Sequence, residues 1–212
     1  MAGLYGPATF INLAMQTISN IIFDIGGVVV FQGKTDFSAF DSEFNLPPTT
    51  VASIVRSCFE NKAVNKDFNE KEYFKKNFQH ILTWDKYQEI LKRIFVMERL
   101  NEPLVEWIRD RKEKYRFFAL TNNTTALKGI LEKKFRISDL FDYTFNSAEI
   151  GFAKPDLRVF SHILREINTI PEHCLFIDDR EENTVAAQNF GFRAITFRDN
   201  QQFFGAVGDF RL

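Results

Sequence analysis

Asp24 ends the apolar run Ile21-Ile22-Phe23 and is followed by Gly26-Gly27 and a second apolar run, Val28-Val29-Val30-Phe31. Burying a carboxylate there is costly unless a metal or a reaction uses it. The pattern recurs where Phe176-Ile177 ends in the adjacent acids Asp178-Asp179. Between these points, Thr121-Asn122 follows Arg116-Phe117-Phe118-Ala119-Leu120, and Lys154 stands in Gly151-Phe152-Ala153-Lys154-Pro155-Asp156. Acids, a hydroxyl and a lysine at successive strand ends suit a single site for phosphate and metal.

Such residues meet only if the chain brings its strand ends together, and the apolar periodicity predicts how. The stretch from Ile21 to Phe31 reads as a buried strand, a glycine turn and more extended chain. About four helices follow with no strand between them: Phe37 to Phe44, capped by Thr35 or Asp36; Val51 to Glu60 after Pro47-Pro48; Glu70 to Ile81, capped by Asn69; and Asp85 to Met97. The stripe of Phe74, Phe78 and Ile81 reads as the core of that helical unit. Helix and strand then alternate: helix from Glu102-Pro103 to Lys114, strand Phe117 to Leu120, helix Thr124 to Lys134, and a short strand near Tyr143-Thr144-Phe145. Helix Asp156 to Ile167, strand Leu175 to Ile177, helix Glu181 to Phe190 and strand Ala194 to Phe197 complete the series. Repeated βα units predict an α/β fold: a Rossmann-like parallel sheet with helices on both faces and an inserted helical cap. Ligands of such sheets sit beyond the carboxyl ends of the strands, where Asp24, Thr121 and Asp179 fall. The expected division is a core of residues 15–31 and 98–212, a cap of residues 32–97, and residues 1–14 as a tag or disordered leader.

Composition narrows the partners. The 212 residues carry 27 basic and 28 acidic side chains, a net charge of −1, so there is no basic field to hold nucleic acid. No apolar run approaches the roughly 18 residues that cross a bilayer. Cys58 and Cys174 have neither metal nor redox spacing, which points to a reducing, cytoplasmic setting. The 25 phenylalanines are scattered through amphipathic segments and read as core. His80, His162 and His173 lack metal or triad spacing. Gly33-Lys34-Thr35 resembles the end of a phosphate-binding loop, but Val28 stands where its first glycine is required. Apolar cap residues can serve a core or a subunit contact, which leaves a homodimer open.

The four segments, Phe23-Asp24-Ile25-Gly26-Gly27-Val28, Leu120-Thr121-Asn122, Lys154-Pro155 and Ile177-Asp178-Asp179 with Asn183, resemble in order the motifs of the haloacid dehalogenase superfamily. These are aspartate-nucleophile hydrolases, here of the kind with a helical cap after the first strand. The resemblance implies that Asp24 attacks phosphorus to form an aspartyl-phosphate, dividing one hard displacement into two. Thr121 would supply a hydroxyl and Asn122 a backbone N–H to the phosphate. Lys154 would stabilise charge on the nucleophile and the phosphoryl oxygens. The implied cofactor is Mg2+, held by the Asp24 carboxylate, the Gly26 carbonyl and Asp179, with Asp178 binding metal-coordinated water or orienting Lys154 and with Asn183 holding a metal-bound water.

One position departs from the family. Most of its phosphatases carry a second aspartate two residues after the nucleophile, to protonate the leaving group and then activate water; here that residue is Gly26. Its loss should slow catalysis by the roughly 10² to 10⁴ that general acid–base help provides, without abolishing it. The segment resembles sugar phosphatases of the alpha-D-glucose-1-phosphate phosphatase type, and leaving groups that need little protonation are expected: anomeric sugar, acyl or aryl phosphates. The expected substrate is therefore a small phosphorylated metabolite. Two rival readings exist. A 2-haloacid dehalogenase also lacks the second aspartate, but Gly26-Gly27-Val28 and the paired acids Asp178-Asp179 favour the metal-dependent phosphatase. A catalytically weak or noncatalytic binding protein is encouraged by Gly26 and opposed by the joint presence of Asp24, Thr121, Lys154 and Asp179.

Overall fold

The computed structural model describes residues 17–31, 36–124 and 127–209. The leader at 1–14, the first cap residues from Gln32, the Gly33-Lys34-Thr35 segment and the Thr35 capping alternative lie outside the described residues.

Five strands form one parallel sheet: β1 (Asn20–Phe23), β4 (Arg116–Thr121), β5 (Tyr143–Asn146), β6 (Cys174–Asp178) and β7 (Arg193–Thr196), in the order β5-β4-β1-β6-β7. Two short strands, β2 (Val30–Phe31) and β3 (Arg99–Leu100), pair antiparallel beside it. The near-continuous apolar runs follow from burial of the sheet on both faces. With a side-chain period of two, Ile21, Phe23, Phe117, Ala119, Leu175 and Ile177 enter one core. Ile22, Phe118, Leu120 and Phe176 enter the other. The first core is covered by α5 (Glu102–Arg109), α6 (Leu127–Lys133) and α10 (Asn200–Asp209), through Leu104, Ile108, Leu131 and Phe203. The second is covered by α8 (Leu157–Ile167) and α9 (Glu181–Phe190), through Phe160, Ile163 and Ala187. Each fully buried side chain of this size stabilises the fold by about 1.5–3 kcal/mol.

After β1 the chain builds outward on one side through β4 and β5, then returns to the other side of β1 for β6 and β7. The neighbours β1 and β6 therefore lead away in opposite directions, which opens a crevice beyond their carboxyl ends. Asp24 and the pair Asp178-Asp179 flank it by connectivity alone.

Between β2 and β3 lie α1 (Phe37–Glu43), α2 (Thr50–Lys62), α3 (Glu70–Phe78) and α4 (Trp84–Met97). They pack around their own core of Phe40, Val51, Ile54, Cys58, Phe74, Tyr87 and Ile90. Asp36 and Asn69 cap α1 and α3 with their side chains, as the sequence indicates. Of the predicted stripe, Phe74 is buried and Phe78 packs against the core, but Ile81 lies beyond the end of α3 and is exposed. Helix α5 stops at Arg109, short of Lys114, because the polar run Arg109 to Lys114 has no apolar face to continue it and closes in tight turns. The extended chain expected up to Phe31 includes β2, whereas β3, α10 and the short helix α7 (Ser147–Ile150) have no counterpart in the sequence reading.

At the base of the helical unit, Asn101 donates to Val28 O at 2.8 Å and exchanges side-chain hydrogen bonds of 2.9 and 2.8 Å with Asn200 of α10. The return of the chain from the helices is thus tied to the first strand's turn and to the C-terminal helix.

Candidate active site

Asp24 is one residue beyond β1, and its N–H still donates to Ile177 O of β6 at 2.8 Å. That bond keeps the ladder's register and points the next peptide out of the sheet, where Ile25 N–H donates to Asp24 Oδ1 at 2.7 Å. The residue is 8% exposed. Lys154, 4% exposed, reaches it from the loop before α8, with Nζ 3.0 Å from Asp24 Oδ1. The same ammonium lies 2.6 Å from Asp178 Oδ2 and donates to Leu120 O at 2.8 Å. An ammonium has three protons, so these three acceptors use all of Lys154's capacity.

Asp178 is wholly buried as the last residue of β6. Its other oxygen accepts from Arg180 N–H and from Asn183 Nδ2, each at 2.9 Å. Asn183 is buried in the first turns of α9, and its Oδ1 has no partner among the described residues. Asp179 is more exposed and forms no ion pair among the described residues. Its carboxylate lies against the backbone of Gly27, where a Cβ would stand 2.3 Å from Oδ2. Gly27 has a φ of +79°, so the position demands glycine for backbone conformation and for space alike. Gly26 bridges to Val30 inside the turn, and no described atom lies within 4 Å of a Cβ built on it.

The turn after β4 is held from three sides. Thr121, the last residue of β4, is 1% exposed. Asn122 turns both ends of its amide to the main chain of Lys154, donating to Lys154 O and accepting from Lys154 N–H, both at 2.8 Å. Asn123 N–H donates to Ser147 Oγ at 3.1 Å, and Asn146 Nδ2 donates to Thr124 O at 2.9 Å.

The electrostatics follow from three carboxylates around one ammonium. Burial pushes the Asp24 carboxyl up to about 6, opposed by Lys154 and assisted by the charge of Asp178. Asp179 is also raised, by burial and then by Asp178. Asp24, Asp178 and Asp179 each offer an oxygen within 4.8 Å of the others. This excess of negative charge, an all-oxygen donor set and the unpartnered Asn183 Oδ1 fit a hard divalent cation.

The structure thus gathers Asp24, Lys154, Asp178, Asp179 and Asn183 at one point, with Thr121 and Asn122 at the adjoining strand end and Gly26 and Gly27 in the facing turn. Three contributors escaped sequence reasoning. Gly27 was read as a turn residue, and nothing in the chain announces Asp179 against it. Ser147 and Asn146 carry only an Asn-Ser signal for a helix start.

The family comparison agrees with this architecture. The haloacid dehalogenase-like hydrolase model matches residues 18–191, and the chain belongs to that family of hydrolases. Among curated relatives, the sesquiterpene phosphatase astK of Aspergillus oryzae is 42% identical over 62 residues, covering 29% of this chain and 32% of that protein. The chain therefore spans about a third of that relative's length. The D-ribitol-5-phosphate phosphatase of Bacteroides thetaiotaomicron is 22% identical over 190 residues, covering 82% of this chain and 89% of that one. Among solved structures, a predicted HAD-like family hydrolase from Porphyromonas gingivalis superposes with a TM-score of 0.69 at 22% identity, covering 91% of this chain and 97% of the other. A HAD family enzyme from Bacteroides thetaiotaomicron, in complex with magnesium and inorganic phosphate, gives 0.66 at 19% identity, covering 88% and 99%. These structural likenesses establish the fold. No helix among the described residues is long and apolar enough to cross a membrane.

Proposed function

We propose that the protein is a magnesium-dependent phosphatase of a small phosphorylated metabolite, acting through an aspartyl-phosphate on Asp24. The observation that carries this reading is the buried Asp24 carboxylate, fixed by Lys154 and faced by Asp178 and Asp179 across the crevice. In the first step an Asp24 oxygen attacks phosphorus, the bond to the leaving oxygen breaks, and the leaving group departs with the electron pair. Water then cleaves the acyl phosphate, releasing inorganic phosphate and restoring the carboxylate.

Each residue has a role in that scheme. Lys154 holds Asp24 ionised and oriented, and with its donors committed it acts on the phosphoryl group by field rather than by contact. Asp178 serves as the counter-charge that positions Lys154. Thr121 and the Asn122 backbone N–H take the phosphoryl oxygens. Asp24, Asp179 and the Gly26 carbonyl would hold the magnesium ion, with Asn183 Oδ1 accepting from one of its waters. When bound, the ion screens the repulsion between the carboxylate and a phosphate dianion. Helices α1–α4 act as a cap over the crevice, making residues 32–97 a unit distinct from the core. A cytoplasmic setting belongs to the same proposal and rests on the cysteine spacing.

With Gly26 in place of an acid, substrates whose leaving groups need little protonation are favoured. The name of the bacterial relative points to polyol or sugar phosphates, that of the fungal one to terpenoid phosphates. A panel of sugar, polyol, terpenyl, acyl, aryl and alkyl phosphates, assayed for phosphate release with and without Mg2+, tests the reading. Metal-dependent turnover of at least one class is expected. Halide release from a 2-haloacid without metal, and no phosphate release, would replace it with the dehalogenase reading.

A further inference from the structure

We propose that Ser147 is a positioning residue that couples the seating of the helical unit to the phosphate-binding turn after β4. This rests on the phosphatase reading and adds a residue and a linkage to it. Ser147 follows β5 directly and is fully buried. Its hydroxyl does two things at once. It accepts from Asn123 N–H at 3.1 Å, two residues beyond Thr121. It also donates to Ala63 O, the carbonyl at the C-terminus of α2, at 2.5 Å. Ser147 belongs to the sheet end of the molecule and Ala63 to the helical unit, 84 residues earlier. Asn123 O is the other acceptor within reach, at 3.5 Å; with a single proton to give, the hydroxyl gives it to the nearer Ala63 O.

The geometry has a consequence for anion binding. A helix leaves its last carbonyls without intrahelical donors, so the end of α2 gains by docking on this buried hydroxyl. The proton given to Ala63 O leaves the oxygen's lone pairs for Asn123 N–H, and each bond polarises the other. With Asn123 N–H committed to Ser147 and the Asn122 side chain committed to Lys154, the backbone N–H of Asn122 is, among the described residues of the turn, a donor left for a phosphoryl oxygen. A seated helical unit therefore favours the anion-ready turn. By linkage, an anion on the turn favours the seated unit by the same factor.

The test is hydrogen exchange of the whole protein with and without beryllofluoride and Mg2+. In the wild type, beryllofluoride should slow exchange in the backbone segment 63–68 by about tenfold, the equivalent of about 1.4 kcal/mol of coupling. Ser147→Ala should still bind beryllofluoride, with weaker affinity, and lose most of that added protection; Ser147→Thr, which keeps the hydroxyl, should retain it. Thermal unfolding of each variant establishes that it is folded. Absence of added protection at 63–68 in wild-type protein that binds beryllofluoride would overturn the coupling without any variant. Equal protection in wild type and Ser147→Ala would overturn the role of Ser147. Wild-type protein that fails to bind beryllofluoride would sink the phosphatase reading itself, and the coupling with it.

Discussion

Replacing Gly26 by aspartate should create a better catalyst for difficult leaving groups. The backbone at Gly26 is outside the left-handed region, and apart from its chain neighbours no described atom lies within 4 Å of a new Cβ, so the Cβ of an aspartate has room there. One position later the same change is strained, since Gly27 has a φ of +79° and a Cβ there would stand 2.3 Å from Asp179 Oδ2, so the carboxylate would have to move. A carboxyl at position 26 would stand two residues beyond the nucleophile, where most phosphatases of the family carry the aspartate that protonates the leaving group. General acid–base assistance is worth about 10² to 10⁴ in rate, or about 3–5 kcal/mol of barrier. A fourth carboxylate near Asp24, Asp178 and Asp179 opposes the approach of a dianion and takes back part of this. The expected net gain for an alkyl phosphate is therefore about 10- to 10³-fold in kcat/KM, with little change for an aryl phosphate whose leaving group needs no proton. Steady-state kinetics on the two substrates at saturating Mg2+ provide the ratio. Wild-type protein that already turns over alkyl phosphates as well as aryl ones, or an alkyl-to-aryl ratio unmoved by Gly26→Asp, would refute the reasoning.

Gly27→Ala must push the Asp179 carboxylate aside, and Mg2+ affinity by titration calorimetry should fall at least about tenfold, a loss of about 1.4 kcal/mol; unchanged affinity would remove Asp179 from the metal site. Lys154→Met leaves Asp24 and Asp178 buried without their counter-charge, so denaturant unfolding should show a loss of about 3–5 kcal/mol, and a loss below about 1 kcal/mol would contradict the buried-pair account. The metal-free protein should lose stability as pH rises from about 3.8 to about 6, because folding raises the Asp24 pKa and the native state binds the proton more tightly there. The loss is on the order of 3 kcal/mol, and a bound cation relieves it. The increase in Tm caused by Mg2+ should accordingly be larger at pH 7.5 than at pH 5; an equal increase would show that Asp24 is not a ligand.

The elements that place the site were legible because they are strongly patterned. The run Ile21-Ile22-Phe23 before Asp24 and the run Phe176-Ile177 before Asp178 can only be buried strands, and parallel topology sets their ends side by side. Local caps such as Asn69, and Asp36 as one of two candidates, were equally legible, since each acts on a backbone N–H within three residues; Asp156, expected as the first residue of its helix, is the cap of α8. What stayed hidden depends on contacts between distant segments. The exhaustion of Lys154's donors needs Leu120 O, Asp24 and Asp178 at once. The bond from Ser147 to Ala63 is invisible to any periodicity, as is the fit of Gly27 against Asp179. Exposure of Ile81 was missed because α3 ends at Phe78, and a helical stripe has no meaning past the last turn.

The central claim is that an Asp24 oxygen becomes bonded to phosphorus. Rapid acid quench of the enzyme turning over a labelled phosphate ester, followed by peptide mass spectrometry, tests it most directly. The account predicts a Mg2+-dependent adduct of one phosphoryl group on the peptide carrying Asp24, absent in Asp24→Asn protein that remains folded. Label on any other residue, or turnover that persists in Asp24→Asn, would contradict it.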